Sequence, residues 1–162
     1  MRLTVSKYLL LALALALTTP VLMAQKKHSA RVPDKKLIGY VSGVDVEGSG
    51  CDFQLAGESR SSRRFIFFED DSDGVPYMNI DGRNVRLKLV NSTEPYRRAE
   101  REGERFIRGY TSCDVRVRMD IVVTSVCAPN DEACEFTGYK ATITVSKGGR
   151  KQTVKAVGGC GS

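Results

Sequence analysis

The chain has 162 residues, a formal net charge of +6 at pH 7, and a composition of 41% hydrophobic and 27% charged residues. These proportions exclude a disordered chain and fit one folded domain, which buries roughly two-thirds of its unfolded surface. A single His, no Trp and five Cys narrow the available chemistry. The missing Trp argues against an immunoglobulin-like sandwich.

Residues 1–24 have the order of a secretory signal peptide. Arg2 and Lys7 precede an apolar run over residues 8–17, a Thr-Thr-Pro breaker and the small residue Ala24. The run is about half of the ~20 residues that a membrane-spanning helix needs. We therefore expect cleavage after Ala24 and export to a periplasm or to the outside of the cell. The alternative is an uncleaved membrane anchor.

Residues 25–36 form a basic, polar lead-in that we expect to be flexible. Strand-like patterns with turn signals between them fill residues 37–162, and no amphipathic helix interrupts them. In chain order the predicted strands are Leu37–Val46, Cys51–Leu55, Arg63–Glu69, Tyr77–Ile80, Val85–Val90, Phe106–Thr111, Asp114–Ile121, Phe136–Ser146 and Gln152–Val157.

Two dipeptides between these strands are typical of tight β-hairpin turns, Asp81-Gly82 and Gly148-Gly149. About eight or nine short strands predict an all-β domain over residues 37–162, a single antiparallel β-barrel or β-sandwich. We expect Val85, Leu87 and Leu89 to face inward on their strand. The charged segment Asn91–Arg105 is predicted to be an exposed loop with at most one helical turn.

The five cysteines are interpreted through export, because oxidising compartments favour disulfides over metal thiolates. Cys127 and Cys134 bracket a short, turn-rich loop and form the most favoured pair, while Cys51 and Cys160 pair by elimination. Cys113 shares strand parity with the apolar residues that follow it, so we expect an interior, inert thiol. Other pairings, and a reactive surface thiol at this position, stay open.

The sequence contains no recognisable catalytic constellation. His28, the single His, lies in the flexible lead-in, and there is no nucleophile elbow, phosphate-binding loop or dinucleotide motif. The cysteines lack a C-x-x-C motif, so zinc is not expected. We expect no catalytic residue, no metal and no cofactor. Paired carboxylates have no fixed spacing, which leaves a carboxylate-based hydrolase as an alternative.

The acidic segment Glu69–Gly74 resembles the start of a calcium-binding loop, with acids at positions 1, 3 and 5 and Gly at position 6. Its twelfth position is Ile80, where such a loop needs a bidentate Glu, and flanking helices are not predicted. We interpret the segment as a hairpin tip in which Asp and Gly provide the turn geometry.

Strand parity places a set of basic side chains on the outward positions. This predicted basic face could attract anionic lipids, envelope polymers or nucleic acid. The alternative is an ordinary solvated surface, because outward strand positions are often basic and Asp114 and Asp120 dilute the field. The predicted basic face consists of Arg86, Lys88, Arg116, Arg118, Lys140 and Lys155.

We therefore expect a non-enzymatic binding or structural β-domain of the cell envelope or extracellular space, whose partner is an anionic envelope component or a secreted protein. The first alternative is an inhibitor of a secreted hydrolase, with Asn91–Arg105 as the protruding loop. The second is the carboxylate-based hydrolase, which needs a concave site with converging acids.

Overall fold

The structure is a computed structural model that describes residues 36–44, 50–72, 74–93, 99–128, 131 and 133–161. The predicted signal peptide over residues 1–24 and the lead-in before Lys36 lie outside the described residues. Within the described ranges no helix is both long enough and apolar enough to cross a membrane.

The described residues form one antiparallel sheet of ten strands, which confirms the all-β prediction. Nine strands follow the path β1-β4-β3-β2-β10-β9-β8-β7-β6, and β5 also pairs with β4. A 3-10 helix, Arg60–Ser62, lies between β2 and β3. The strands are β1 Ile38–Gly39, β2 Gly50–Leu55, β3 Phe65–Asp70, β4 Pro76–Ile80, β5 Arg83–Arg86, β6 Lys88–Ser92, β7 Arg105–Ser112, β8 Val115–Ser125, β9 Phe136–Lys147 and β10 Arg150–Gly161.

Alternating side chains explain the long strands β8 and β9. In β8 the apolar residues Val117, Met119 and Ile121 are buried, while Arg116 and Arg118 between them are exposed. Strand β9 repeats the pattern with Ala141, Ile143 and Val145 inside. Because side chains alternate with period two, one face of the curled sheet covers the core and the other faces solvent.

Aromatic contacts join distant strands inside the core. The Phe53 and Phe67 rings meet edge to face at 5.9 Å, and Phe67 lies 5.5 Å from Tyr110. Phe106 packs 6.1 Å from Tyr139. Burial raises the pKa of Tyr139 to about 12, so this phenol stays neutral at physiological pH. These rings connect β2, β3, β7 and β9 around a single apolar core.

The predicted strand Val85–Val90 is divided into β5 and β6 at Leu87. The Leu87 side chain is buried, and its N–H donates to the Pro76 carbonyl at 2.8 Å. Leu89 pairs directly with the buried Tyr110, so it lies on the inward side of β6 as expected, although 40% of its surface is exposed. The register shifts between Leu89 and Asn91, so the alternation of β6 is interrupted only after Leu89.

Two disulfides are present, Cys51–Cys160 and Cys127–Cys134, and they are the pairs that the sequence favours. Cys51 and Cys160 are direct cross-strand partners on β2 and β10, with a Cα–Cα distance of 4.1 Å. Their sequence separation is 109 residues, against 7 for the other pair. The first disulfide therefore joins the beginning of the described domain to its last strand.

The expectation of an interior Cys113 is wrong. Cys113 is the free cysteine and it is exposed, in the two-residue turn between β7 and β8. Ser112 pairs with Val115 across this turn, and Cys113 has a φ of 49°, in the left-handed region. The alternation of β8 begins at Val115, so the parity argument extended the strand two residues too far.

The disulfide that closes the long loop, Cys51–Cys160, should contribute more to stability than Cys127–Cys134, which closes a short one. In the chain-entropy model a loop of about 100 residues is worth about 4.7 kcal/mol, and a loop of eight residues about 2.5 kcal/mol. We therefore expect Cys51→Ala/Cys160→Ala to lower the free energy of unfolding by roughly 4–5 kcal/mol and Cys127→Ala/Cys134→Ala by about half of that. Urea unfolding of both variants measures the difference.

Cys113→Ala is the matched control, since it removes a thiol that forms no disulfide. Its unfolding free energy should stay within about 0.5 kcal/mol of the parent. Equal losses from the two disulfide variants would contradict the loop-length argument.

Candidate functional site

The outer face of strands β6 to β10 carries cations in register. Lys88 pairs with Thr111, Thr111 with Arg116, Arg116 with Ser146, and Ser146 with Lys151. Since neighbouring strands lie about 4.8 Å apart, the three cations recur about every 10 Å across five strands. We call Lys88, Arg116 and Lys151 the basic row; only hydroxyl side chains separate them.

Each of the basic row's side chains is exposed. In the part of the chain that the structure describes, none of Lys88, Arg116 and Lys151 makes an ion pair or a side-chain hydrogen bond. Their charges are therefore available to an external anion. Exposed cations that interact with no carboxylate on their own protein keep their full attraction for a polyanion.

Arg118 differs from its neighbour Arg116, although both were predicted for the same face. Its guanidinium contacts the Asp120 carboxylate at 2.7 Å through Nη2 and at 3.0 Å through Nε. This pair raises the pKa of Arg118 and fixes its orientation. Asp120 therefore offsets the positive charge of Arg118 locally, whereas Arg116 keeps its own.

The other three predicted residues lie at the margins of the row. Lys140 and Lys155 are exposed on β9 and β10, and Lys155 Nζ donates to Thr142 Oγ1 at 2.7 Å. Arg86 lies on β5, with its guanidinium carbon 5.4 Å from the Tyr77 ring centre. The structure thus brings Lys88 and Arg116 into one row and leaves the remaining predicted residues around it.

The sequence analysis missed Lys151, which completes the row. Strand β10 begins at Arg150, two residues before the predicted start at Gln152. Lys151 shares outward parity with Lys155, so an earlier strand start was the signal that would have included it. Lys151 follows the Gly148-Gly149 turn so closely that residue composition alone does not show whether it belongs to the turn or to the strand.

A separate arginine cluster has a structural role. The Arg60 guanidinium carbon lies 4.2 Å from the Phe136 ring centre, and its Nη2 lies 3.6 Å from Asp52 Oδ1. A Cβ on Gly159 would come within 2.0 Å of Phe136, so the ring lies directly on this glycine. Burial raises the pKa of Asp52, and the Arg60 charge opposes that rise.

Arg64 is engaged in the same way in the loop between β2 and β3. Its guanidinium carbon lies 3.8 Å from the Tyr40 ring centre, and its Nη1 lies 3.7 Å from Glu58 Oε1. Stacking on an aromatic face and pairing with a carboxylate are typical of structural arginines. These contacts fix the β2–β3 loop on the domain, and they occupy charges that a ligand would need.

The acidic segment after β3 has the geometry of a turn. The Ser72 N–H donates to Asp70 Oδ1 at 2.8 Å, and the Gly74 N–H donates to the Asp70 carbonyl at 2.9 Å. The hydrogen bonds that Asp70 accepts from the backbone and side chain of Ser72 lower its pKa. Asp73 lies outside the described residues, and among the described ones no three His, Cys, Asp or Glu side chains gather as a metal site would require.

Asp81 connects two hairpin turns that are distant in sequence. It occupies the predicted Asp81-Gly82 turn between β4 and β5, with a φ of 54°. Its carboxylate oxygens lie 3.2 Å from Lys147 Nζ and 2.8 Å from Arg150 Nη1, at the two sides of the β9–β10 turn. The hydrogen bond from Arg150 is the main reason that the pKa of Asp81 is lowered.

The Asp81 contacts should make stability depend on pH. Because folding lowers the pKa of Asp81, its contribution is complete above the unfolded value of about 3.9 and is lost as the pH falls through the folded pKa. We expect Asp81→Asn to lower Tm at pH 7 and to approach the parent once the pH falls below the folded pKa of Asp81. Asn tolerates the left-handed turn conformation, so the substitution removes mainly charge.

Asp114→Asn is the control, since Asp114 is an exposed turn carboxylate without an ion pair in the described residues. Its Tm should follow the parent at both pH values. A constant Tm difference between Asp81→Asn and the parent from pH 7 to pH 2 would contradict the assignment, because the loss would not follow ionisation.

Comparison with protein-family models, with curated proteins and with solved structures finds no match to this chain. The functional argument therefore rests on the geometry of the basic row and on the chemistry of the side chains beside it.

Proposed function

We propose that the chain is an exported, non-enzymatic β-domain that binds an anionic polymer or surface of the cell envelope or extracellular space through the basic row on its outer face. The basic row carries this proposal. Lys88, Arg116 and Lys151 lie in cross-strand register with hydroxyl residues between them. A repeating anion can contact such an array at several points, and each contact adds to the attraction.

The architecture supports a rigid presentation of this row. Strand β5 pairs with β4 at one end of the strand path, β6 pairs with β7 at the other, and the chain between β5 and β6 is the single residue Leu87. We infer that the sheet closes as a barrel, the first of the two predicted architectures. Closed sheets hold outward side chains at fixed spacing, because no strand edge is free to separate.

The two disulfides support export, since such bonds are typical of oxidising compartments. The proposed signal peptide over residues 1–24 accounts for that export. The proposed compartment is periplasmic or extracellular, where the phosphates, sulfates and carboxylates of lipids and polysaccharides form polyanionic surfaces. A net positive charge favours encounter with such surfaces.

The alternatives have less support. Inhibition of a hydrolase depends on a protruding loop, and residues 94–98 of Asn91–Arg105 lie outside the described residues. Hydrolysis by carboxylates requires two acids that face one substrate. The raised pKa of Asp52 comes from burial beside Arg60 and Phe136, a packing arrangement that accounts for this acid without a substrate.

The basic row predicts a specific loss of polyanion binding. Arg116→Gln/Lys151→Gln removes two exposed charges that form no ion pair in the described structure, so elution from heparin should require less salt. The slope of log K against log salt should fall by about two, one for each lost contact. The measurement is retention and binding on heparin and on anionic vesicles over a series of salt concentrations.

The matched control is Arg63→Gln/Arg105→Gln, which removes the same net charge from two exposed residues outside the row that form no ion pair in the described structure. This variant should keep the salt slope of the parent. If both double variants lose binding equally, net charge and not the row is responsible. If the parent is not retained at low salt, the basic face is only a solvated surface and the proposal fails.

Export predicts a shortened N-terminus. Intact-mass measurement of the secreted protein should give a chain that begins near Gln25, because signal peptidase cleaves after small residues such as Ala24. Replacing Leu11 and Leu13 with Arg should keep the chain inside the cell, because it interrupts the apolar run. A membrane-bound product that retains Met1 would contradict cleavage.

A further inference from the structure

Two hairpin turns lie side by side at one end of the sheet. Val115, the first residue of β8, pairs with Lys147, the last residue of β9. This register places the Cys113-Asp114 turn beside the Gly148-Gly149 turn. A cleft of about 450 Å³ lies between them, within the range of roughly 300–1,000 Å³ that small-ligand sites occupy.

The cleft is lined by four cations, Arg116, Lys147, Arg150 and Lys151. Asp81 forms ion pairs with Lys147 and Arg150, so its carboxylate offsets part of their charge. Arg116 and Lys151 form no ion pair in the described ranges, and Asp114 is the one carboxylate of the described lining. The cleft therefore has an excess of positive charge, with two cations paired to Asp81 and two available.

The donors in the cleft suit one particular class of anion. Arg116 and Lys151 are two strands apart, and Ser146 lies between them in register. A guanidinium, an ammonium and a hydroxyl side by side can donate to three or more oxygens, a number that a tetrahedral oxyanion offers and a carboxylate does not. The two glycines leave open space, since a Cβ on either would meet nothing within 4 Å.

We propose that this cleft binds a single tetrahedral oxyanion, the phosphate or sulfate ester group of an anionic ligand, through Arg116, Lys151 and Ser146. This inference rests on the proposed function, because it names the group that enters the basic row at its β8–β10 end. The cleft is large enough for the ester group together with one sugar-sized unit. The rest of the polymer then follows the basic row toward Lys88.

The test uses the purified, disulfide-bonded protein and inorganic phosphate at pH 7.5. Phosphate is titrated against sodium chloride of equal ionic strength while the backbone amides of residues 146–151 are followed by NMR. We expect saturable shifts of these amides with phosphate and with sulfate, and only small linear shifts with acetate. A comparison at pH 5.5 distinguishes the two anions, because phosphate is then protonated and loses charge and affinity, while sulfate keeps both.

Three variants give the proposal opposing outcomes. Arg116→Gln/Lys151→Gln should weaken phosphate binding by at least about tenfold, since it removes two charge-assisted contacts. Asp114→Asn should strengthen binding by about threefold, because it removes the carboxylate that repels the anion. Lys140→Gln/Lys155→Gln removes equal charge outside the cleft and should change affinity by less than twofold. Thermal unfolding of each variant verifies that the fold is intact.

Absence of saturable shifts, or equal shifts with phosphate and chloride, would overturn the cleft assignment. Equal weakening by the cleft variant and by Lys140→Gln/Lys155→Gln would also overturn it, because general charge would then explain the binding. Heparin retention separates this inference from the proposed function. If the protein is retained on heparin but does not bind phosphate, only the cleft site is absent. If it binds phosphate but is not retained on heparin, the basic row does not bind polymers.

Discussion

The register of the β9–β10 hairpin is the constraint on which the rest of the sheet depends. Gly148 and Gly149 both adopt positive φ, at 53° and 76°, a geometry that matches the twist of two strands joined by a two-residue turn. This turn aligns all twelve pairs from Lys147–Arg150 to Phe136–Gly161. A slip of one residue would exchange the buried and exposed faces of both strands.

The disulfide Cys51–Cys160 depends on that same register. Cys160 meets Cys51 only when β10 is aligned with both β9 and β2. Near this point a Cβ on Gly158 would lie 1.9 Å from the Asp52 carbonyl oxygen. Backbone contact this close requires glycine. One alignment of β10 therefore satisfies the turn glycines, Gly158 and the disulfide together. The outward position of the basic row follows from this alignment.

The sequence pattern correctly predicted those features of the fold that depend on neighbouring residues alone. The alternation of Val117, Met119 and Ile121, and the turns at Asp81-Gly82 and Gly148-Gly149, are local features, and the structure contains them. Cys113 was misplaced because a cysteine carries no turn signal and its spacing continued the β8 alternation. Leu89 lies on the predicted face, but its partial exposure depends on which elements cover the strand, and the local pattern does not specify them. Lys151 was missed because its row exists only after four strand pairings have been established.

The position of β10 has a consequence for how the chain folds. This strand is the last along the described chain, yet it lies in the middle of the sheet, between β2 and β9. Until β10 has been synthesised, the N-terminal strands reach β7–β9 only through the β5–Leu87–β6 segment, and the edges of β2 and β9 have no partner. Contacts of such long sequence separation slow folding. The sheet of the described domain therefore cannot be completed during synthesis until the strand between β2 and β9 has been made.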